Sequence, residues 1–293
     1  MRRRADLALV AAAFLFGSTF LVVQEAVEEA DVVPFLAVRF LVGAALLAPA
    51  ARRRPPTAGE WTHGVLAGLC LLAGFLLQTV GLQFTTSSSS AFITYLLVVF
   101  VPVISAVLTR TPPSALTVAG VVLAVVGLLL LSGGVSGFGR GEWLTLGCAL
   151  AFAAHILVLA RVASRHDPVR LTCWQILTVG IACLVPGLFL GGYGFEGDVW
   201  VAALFCGLGP TAAAFFCMVW AQRVVTPTRA ALLLLLEPVF AAALARATGE
   251  SLPASAVAGG ALILLAVVVS EVLPPLLGAR RAPRREVGTH GPA

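Results

Sequence analysis

Glu237 and Pro238 are the residues whose types and position most directly suggest chemistry, because they interrupt an apolar stretch that runs from 229 to 245. A carboxylate in the middle of a membrane-length helix is costly to bury and usually faces a protein interior or a wet cavity. Proline removes a backbone hydrogen bond, and broken backbone is tolerated at membrane depth only within protein or along a cavity. The pair predicts an internal polar pathway, in which Glu237 either binds a proton or a cationic substrate group, or braces the kink.

Six further polar residues fall inside apolar stretches and are candidates for the same pathway. They are Ser18, Arg39, Gln78, Tyr95, His155 and Gln175. The fork of donors on Arg39 suits a substrate carboxylate or other anion, and the alternatives are a structural ion pair or a reach toward lipid headgroups. His155 is either a proton relay, since free imidazole titrates near neutrality, or a buried hydrogen-bonded ring. Gln78, Gln175 and Tyr95 either line the pathway or are structural.

The composition identifies the class of protein that must position these residues. The chain has 293 residues, of which 59% are hydrophobic and 11% charged, with a mean hydropathy of +1.00. A soluble domain carries about 25% charged residues. The chain is therefore expected to be an integral membrane protein whose main surroundings are the lipid bilayer.

Ten stretches have the length and apolarity of membrane-spanning helices, each needing about 20 residues. Short connections with Pro and Gly breakers separate them, and no connection is long enough for a soluble domain. We number them spans 1 to 10, and their expected ranges are 7–24, 32–51, 64–84, 89–109, 114–133, 143–160, 171–191, 199–221, 228–247 and 252–272.

The positive charges predict the orientation of these spans. The net charge is +5. The sequence contains no lysine, so all 19 residues counted as Lys or Arg are arginines. With ten spans, 16 of the 19 arginines fall on the side that holds the N-terminus. The positive-inside rule then places both termini in the cytoplasm. This clustering at span ends indicates topology signals and argues against nucleic-acid binding.

The two halves of the chain repeat each other. Phe16 corresponds to Phe152, and Pro102 to Pro238, each pair 136 residues apart. Because one copy holds five spans, an odd number, the second copy must cross the membrane in the opposite direction. The sequence predicts an all-α polytopic fold with two inverted repeats, 5–134 and 141–273, and helix kinks at both prolines. The basic tail 274–293 is expected to be disordered and cytoplasmic.

Four segments carry a pattern that resembles a known family. They are Phe16-Gly-Ser-Thr-Phe20, Pro34 with Arg39, the run 81–102, and the run 226–252. Together they resemble the EamA-type transporters, the ten-helix branch of the drug/metabolite transporter superfamily, over about residues 5–273. The Gly-Glu element that this family has after its fourth helix is absent, and Arg110-Thr-Pro-Pro-Ser114 stands in its place.

The resemblance implies a secondary transporter in the plasma membrane that exports a small metabolite, such as an amino acid or a related compound, by alternating access. Protons are the expected partner of a coupled mechanism. The alternatives are an uncoupled facilitator or exchanger, a non-transporting membrane scaffold, and an intramembrane lipid-modifying enzyme. The sequence has no GxSxG, P-loop or HExxH motif, so no enzyme activity and no cofactor are expected.

Cysteines and glycines inside the spans are expected to be structural. The six cysteines form no CxxC pair and have no His or Asp at metal-ligand spacing, so no metal site is predicted. Glycines in spans 3, 5 and 10 permit close helix contact. The glycine faces of spans 5 and 10 are also the candidate surface for a homodimer.

Overall fold

The protein is an assembly of long apolar helices, seen in a computed structural model that describes residues 1–19, 22–23, 26, 29–133, 138–247, 249 and 251–273. Within these residues there are helices and no strands. Nine of the described helices are long and apolar enough to cross a membrane, and the first helix is described over 16 residues. The predicted all-α polytopic fold is confirmed for this part of the chain. The tail 274–293 lies outside the described residues.

We label the helices α1 to α10 after the predicted spans. The unbroken ones are Arg2–Gly17 (α1), Val32–Arg52 (α2), Glu60–Leu82 (α3), Ala115–Ser132 (α5), Arg140–Val162 (α6) and Pro168–Phe189 (α7). The others have interruptions: Ser87–Tyr95 (α4a) with Leu97–Thr109 (α4b), Gly197–Cys206 with the π-helical turn Gly207–Ala213 and Ala214–Gln222 (α8), Pro227–Leu234 (α9a) with Glu237–Ala247 (α9b), and Ala254–Val267 with Val268–Val272 (α10).

Several helices begin earlier than predicted because polar residues extend them beyond the apolar stretch. The helix α3 begins at Glu60 and α7 at Pro168, where starts at residues 64 and 171 were predicted. The Asp167 carboxylate caps α7 by accepting the backbone N–H groups of Val169 and Arg170. Such a cap satisfies donors that have no partner inside the helix.

The two predicted kinks differ in their relation to the prolines. In span 9 the helix is interrupted at Leu235 and Leu236 and restarts at Glu237, so Pro238 occupies the second position of α9b. There the missing proline N–H is no loss, because the first residues of a helix lack intrahelical acceptors. In span 4 the interruption lies at Leu96, more than one turn before Pro102.

Glycines bring α5 and α10 into close contact within the chain. A Cβ atom on Gly127 would lie 2.7 Å from the Gly259 carbonyl oxygen and 3.0 Å from the Ile263 side chain. The glycine faces are thus used for packing inside one chain. A homodimer through α5 and α10 stays a prediction, and it would use the other faces of these helices.

The alternating helices define two sides of the molecule. The N-terminal side holds Met1, the segment 53–59 and the segment 163–167, and the opposite side holds the segments 83–86 and 190–196. Toward the N-terminal side the helices form a continuous apolar core. Its buried residues there include Ala5, Leu9, Val162, Leu171 and Val225.

Candidate substrate site

A cavity of about 390 Å³ lies between the two predicted repeats. Its walls come from α1, α2, α3, α4, α6, α8 and α9, and they extend from Glu237 at the start of α9b to Val32 and Leu82 toward the opposite side. Ligand pockets in proteins commonly have volumes of about 300 to 1,000 Å³. Much of the wall is aromatic, with Phe16, Phe35, Phe75, Phe152 and Phe215.

Arg39 is the buried cation of this cavity, with only 5% of its surface exposed. Its Nε donates a hydrogen bond to the Thr211 hydroxyl at 3.1 Å, and Thr211 lies in the π-helical turn of α8. The rings of Phe40 and Phe75 each lie 5.4 Å from the guanidinium carbon. Among the described residues, the terminal NH groups have no hydrogen-bond partner. They are therefore donors for a bound carboxylate or other anion.

Glu237 supplies a carboxylate to the same cavity from the first turn of α9b. The Tyr95 hydroxyl faces this carboxylate closely enough to interact with it, and Arg39 attracts it at longer range. The ion pairs formed within 4.0 Å by described residues do not include Arg39 with Glu237. The cavity thus holds one cation and one carboxylate at separate positions.

Two hydrogen-bonded pairs complete the polar lining. The Gln78 side-chain amide donates to the Thr94 hydroxyl at 3.2 Å, and both residues line the cavity. The His155 ring N–H lies 2.7 Å from the Gln175 amide oxygen. Gln175 is fully buried and outside the lining, and its amide nitrogen has no partner in the described structure. Gln175 therefore orients the His155 ring, and His155 is the member of the pair that faces the cavity.

Ser18 is not among the lining residues, and the adjacent Thr19 is. The Ser18 hydroxyl donates to the Leu15 carbonyl at 2.8 Å, within its own helix. Thr19 also bonds its helix, through the Phe16 carbonyl at 2.6 Å, but lies at the cavity wall.

Sequence reasoning did not find Thr211 or the aromatic wall. A signal for Thr211 is present in span 8, where Gly207, Gly209 and Pro210 interrupt an apolar stretch immediately before it. Irregular helical turns of the π type often occur at functional sites. The phenylalanines carry no such signal, because aromatic residues are equally suited to lipid and to helix packing.

The N-terminal side is closed below the cavity by charged contacts. Three ion pairs there join residues of one predicted repeat to residues of the other, and a fourth lies beside them. The pairs are Arg54–Asp167 at 2.9 Å, Arg170–Glu60 at 2.6 Å, Arg229–Asp6 at 2.8 Å and Arg229–Glu271 at 2.6 Å. All four are on the N-terminal side, and none of the ion pairs in the described ranges lies on the opposite side.

Comparison with known proteins gives consistent matches. The sequence profile of the EamA-like transporter family matches residues 3–133 and 139–271. An "Uncharacterized transporter" of Archaeoglobus fulgidus is 33% identical over 270 residues, which cover 92% of this chain and 86% of that protein. A second "Uncharacterized transporter" of the same organism is 27% identical over 190 residues, covering 64% and 68%. A solved crystal structure matches with a TM-score of 0.81 at 20% identity, over 96% of this chain and 100% of that chain.

A helical membrane protein with a cavity between its halves, lined by aromatic rings and a few charged and polar side chains, has the construction of a small-molecule transporter. This chain belongs to the EamA-like transporter family, because the family profile matches most of its length. The predicted family is thereby confirmed, and the crystal structure supports the shared fold.

Proposed function

We propose that this protein is a secondary transporter that exports an amino acid or a closely related zwitterionic metabolite across the plasma membrane. The observation that carries the proposal is the placement of Arg39 and Glu237 in one cavity without direct pairing. An unpaired cation and an unpaired carboxylate are costly at membrane depth. A substrate with both an acidic and a basic group would offset that cost at both positions at once.

Each part of such a substrate has a chemical counterpart in the cavity. The terminal NH groups of Arg39 match a carboxylate in a two-point contact. The Glu237 carboxylate, adjacent to Tyr95, accepts the hydrogen bonds of an ammonium group. The phenylalanines of the wall contact an apolar substituent, since burial of apolar surface is favourable and needs no fixed geometry.

The proposed mechanism is alternating access between two inverted five-helix repeats. The cavity extends toward the opposite side, and the N-terminal side is sealed by apolar core and by ion pairs between the repeats. Rocking of the repeats would break those pairs and close the opposite side. The arginine distribution places the N-terminal side in the cytoplasm. A proton gradient is the proposed energy source for uphill export.

Counterflow into proteoliposomes of the purified full chain tests this function with three matched compounds. Leucine carries both charged groups, 4-methylpentanoate lacks the amine, and isoamylamine lacks the carboxylate. We expect preloaded leucine to drive uptake of labelled leucine, with each of the other compounds at least about tenfold weaker, since a lost charge-assisted contact costs about 1.5 to 3 kcal/mol. Equal exchange of all three compounds would contradict the proposal. So would a broader panel of amino acids in which no compound is exchanged.

Collapse of the proton gradient in the same vesicles separates coupled from uncoupled transport. A coupled transporter loses accumulation of leucine against its gradient but keeps exchange. Accumulation that is absent from the start, with exchange intact, would identify an uncoupled facilitator or exchanger.

A further inference from the structure

Two histidines meet at the N-terminal side, away from the cavity, and they come from different predicted repeats. The Nδ1 atom of His63, in the first turn of α3, lies 2.7 Å from the Nε2 atom of His166. The other ring nitrogen of His166 lies 2.6 Å from the Thr57 hydroxyl, and that hydroxyl lies 3.1 Å from a carboxylate oxygen of Glu60. The four side chains form one continuous chain of hydrogen bonds.

The number of protons in this chain is limited by its geometry. With both histidines neutral, His63 donates to His166, His166 donates to Thr57, and Thr57 donates to Glu60, so every contact has one proton. With one added proton, the His166 imidazolium donates from both nitrogens, and His63 accepts. With two added protons, an N–H group of each ring points at the other across 2.7 Å, and the contact between the histidines is lost.

The surroundings also disfavour a doubly charged pair. His166 is 5% exposed, and the charged groups that act on it are Glu60 on α3 and Arg165 in the segment 163–167. Asp167 and Arg170, at the start of α7, form ion pairs with Arg54 and Glu60. The second oxygen of Glu60 already accepts hydrogen bonds from Arg170 Nε and Trp174 Nε1. Burial, with repulsion by His63 and Arg165 against attraction by Glu60, lowers the pKa of His166 from its ordinary value.

We propose that the His63–His166 pair is a proton-binding site that couples the closure of the N-terminal side to the pH of the adjoining compartment. The pair with no or one added proton holds the two repeats together, and the second proton separates them. The inference concerns the regulation of the alternating access proposed above. It assigns a site to protons that lies outside the substrate cavity.

The direction of the pH effect follows from linkage. If the pair binds protons more weakly when closed than when open, the closed form is fully stable at pH values above the ordinary histidine pKa of about 6.5. As the pH falls below that value, the open form takes up protons that the closed form does not. The closed form is therefore lost progressively as the pH falls further, because the open form binds the second proton and the closed form does not. The lowered pKa of His166 has the same sign, since it shows that the closed site disfavours added protons.

Hydrogen exchange at the imidazole C2 position, followed by mass spectrometry, measures the titration of each histidine in the full chain. The sequence has only four, His63, His155, His166 and His290, so each one can be followed separately. We expect His166 to titrate below the ordinary value of about 6.5 while His63 is present. In His63→Gln, the His166 curve should shift back toward the ordinary value because repulsion by His63 is lost, and unchanged exchange at His155 should show that the fold is kept. A titration curve of His166 that is unchanged by replacement of His63 would overturn the proposal.

Pulsed electron–electron distance measurement tests the structural consequence. Spin labels are attached at Ala58→Cys and Ser164→Cys in a background where Cys70, Cys173 and Cys217 are alanine. Both positions are exposed and lie in the segments 53–59 and 163–167, so the distance between the labels reports the separation of the repeats. We expect the ratio of short to long distances to fall about tenfold for each unit of pKa difference between the closed and open forms as the pH is lowered. Distances independent of pH in the unsubstituted pair would overturn the proposal.

Two variants complete the distance experiment. The double variant His63→Gln with His166→Gln keeps polar side chains but cannot become charged, so its distances should not depend on pH. The control Arg54→Gln removes the ion pair with Asp167 at the same contact and should keep the pH dependence. A pH dependence that survives in the double variant would assign the effect to other groups and contradict the proposal. Because no substrate is used, these outcomes are independent of the proposed transport activity.

Discussion

The two sides of the molecule are held in different ways. On the N-terminal side, Glu60 is 2% exposed and accepts hydrogen bonds from Arg170 and Trp174 of the other predicted repeat. On the opposite side, Glu142 accepts hydrogen bonds from the Thr85 hydroxyl and from the backbone of Gly139. The first carboxylate pairs with an arginine of the other predicted repeat, whereas the second accepts hydrogen bonds from uncharged donors.

This difference shows how charge can serve both topology and closure. Arginines that the positive-inside rule treats as topology signals also form ion pairs with carboxylates of the other predicted repeat. The opposite side has the cation Arg140 over the Phe84 ring at 4.4 Å, a contact that needs no anion. A transporter with ion pairs on one side and a cavity on the other would be in one state of the proposed cycle.

The largest effect is expected from removal of the carboxylate at the N-terminal side. Glu60→Ala leaves Arg170 without its anion in a site where the two side chains are 3% and 16% exposed. Breaking a buried ion pair in this way costs about 3 kcal/mol or more. Unfolding of the purified protein in detergent should show this loss.

The matched control on the opposite side is Glu142→Ala. It removes an acceptor of neutral donors, Thr85 and the Gly139 N–H group, and strands no cation, so its loss of stability should be clearly smaller. Equal destabilisation by the two variants would remove the distinction between the sides.

Arg39→Lys should reduce transport strongly while the protein still reaches the membrane. Lysine keeps the positive charge but loses the Nε contact with Thr211 and the two-point contact with a carboxylate. We expect transport of leucine to fall about 10- to 100-fold. The matched control is Arg110→Lys, which changes an exposed arginine away from the cavity and should be silent. Normal transport by Arg39→Lys would return Arg39 to a structural role.

Glu237→Gln should alter selectivity more than expression. Glutamine keeps the size and hydrogen-bonding capacity beside Tyr95 but loses the negative charge that the ammonium group of the substrate needs. In counterflow, the preference for leucine over 4-methylpentanoate should fall by about tenfold, the equivalent of one charge-assisted contact. An unchanged preference would favour the alternative in which Glu237 only braces the interruption before Pro238.

The smallest effect is expected from Ser18→Ala, compared with Thr19→Val. The Ser18 hydroxyl bonds the Leu15 carbonyl of its own helix, so its removal should leave the KM for leucine unchanged. Thr19→Val changes the cavity wall with little change in shape and should raise the KM by a few fold. A larger rise in KM for Ser18→Ala than for Thr19→Val would contradict the placement of Thr19 at the cavity wall.

Much of the fold could be predicted because lipid imposes simple requirements on length and apolarity. Most spans follow from about 20 apolar residues each, and the polar positions Arg39, Tyr95 and Glu237 stand out against that background. Ser18 was predicted for the pathway, and the structure places the adjacent Thr19 at the cavity wall. Adjacent helical residues point about 100° apart, so apolar content alone does not decide which of Ser18 and Thr19 faces the cavity.

The contacts at the N-terminal side were beyond sequence reasoning for a different reason. The charge of Arg170 indicates the side of the membrane on which it lies, but says nothing of its partner Glu60, which is 110 positions away. The meeting of His63 with His166 likewise depends on how the two halves of the chain pack. Long-range pairs of this kind follow from the assembled fold and leave no local pattern.

The most direct test of the account is labelling of Thr79→Cys with a membrane-impermeant thiol reagent, in the background without Cys70, Cys173 and Cys217. Thr79 lines the cavity near the opposite-side end of α3. If the N-terminal side is cytoplasmic and closed, the cysteine should react in intact cells, react slowly in inside-out vesicles, and be protected by leucine. Rapid labelling from inside-out vesicles with none in intact cells would contradict the account, because the cavity would then open on the side where the ion pairs lie.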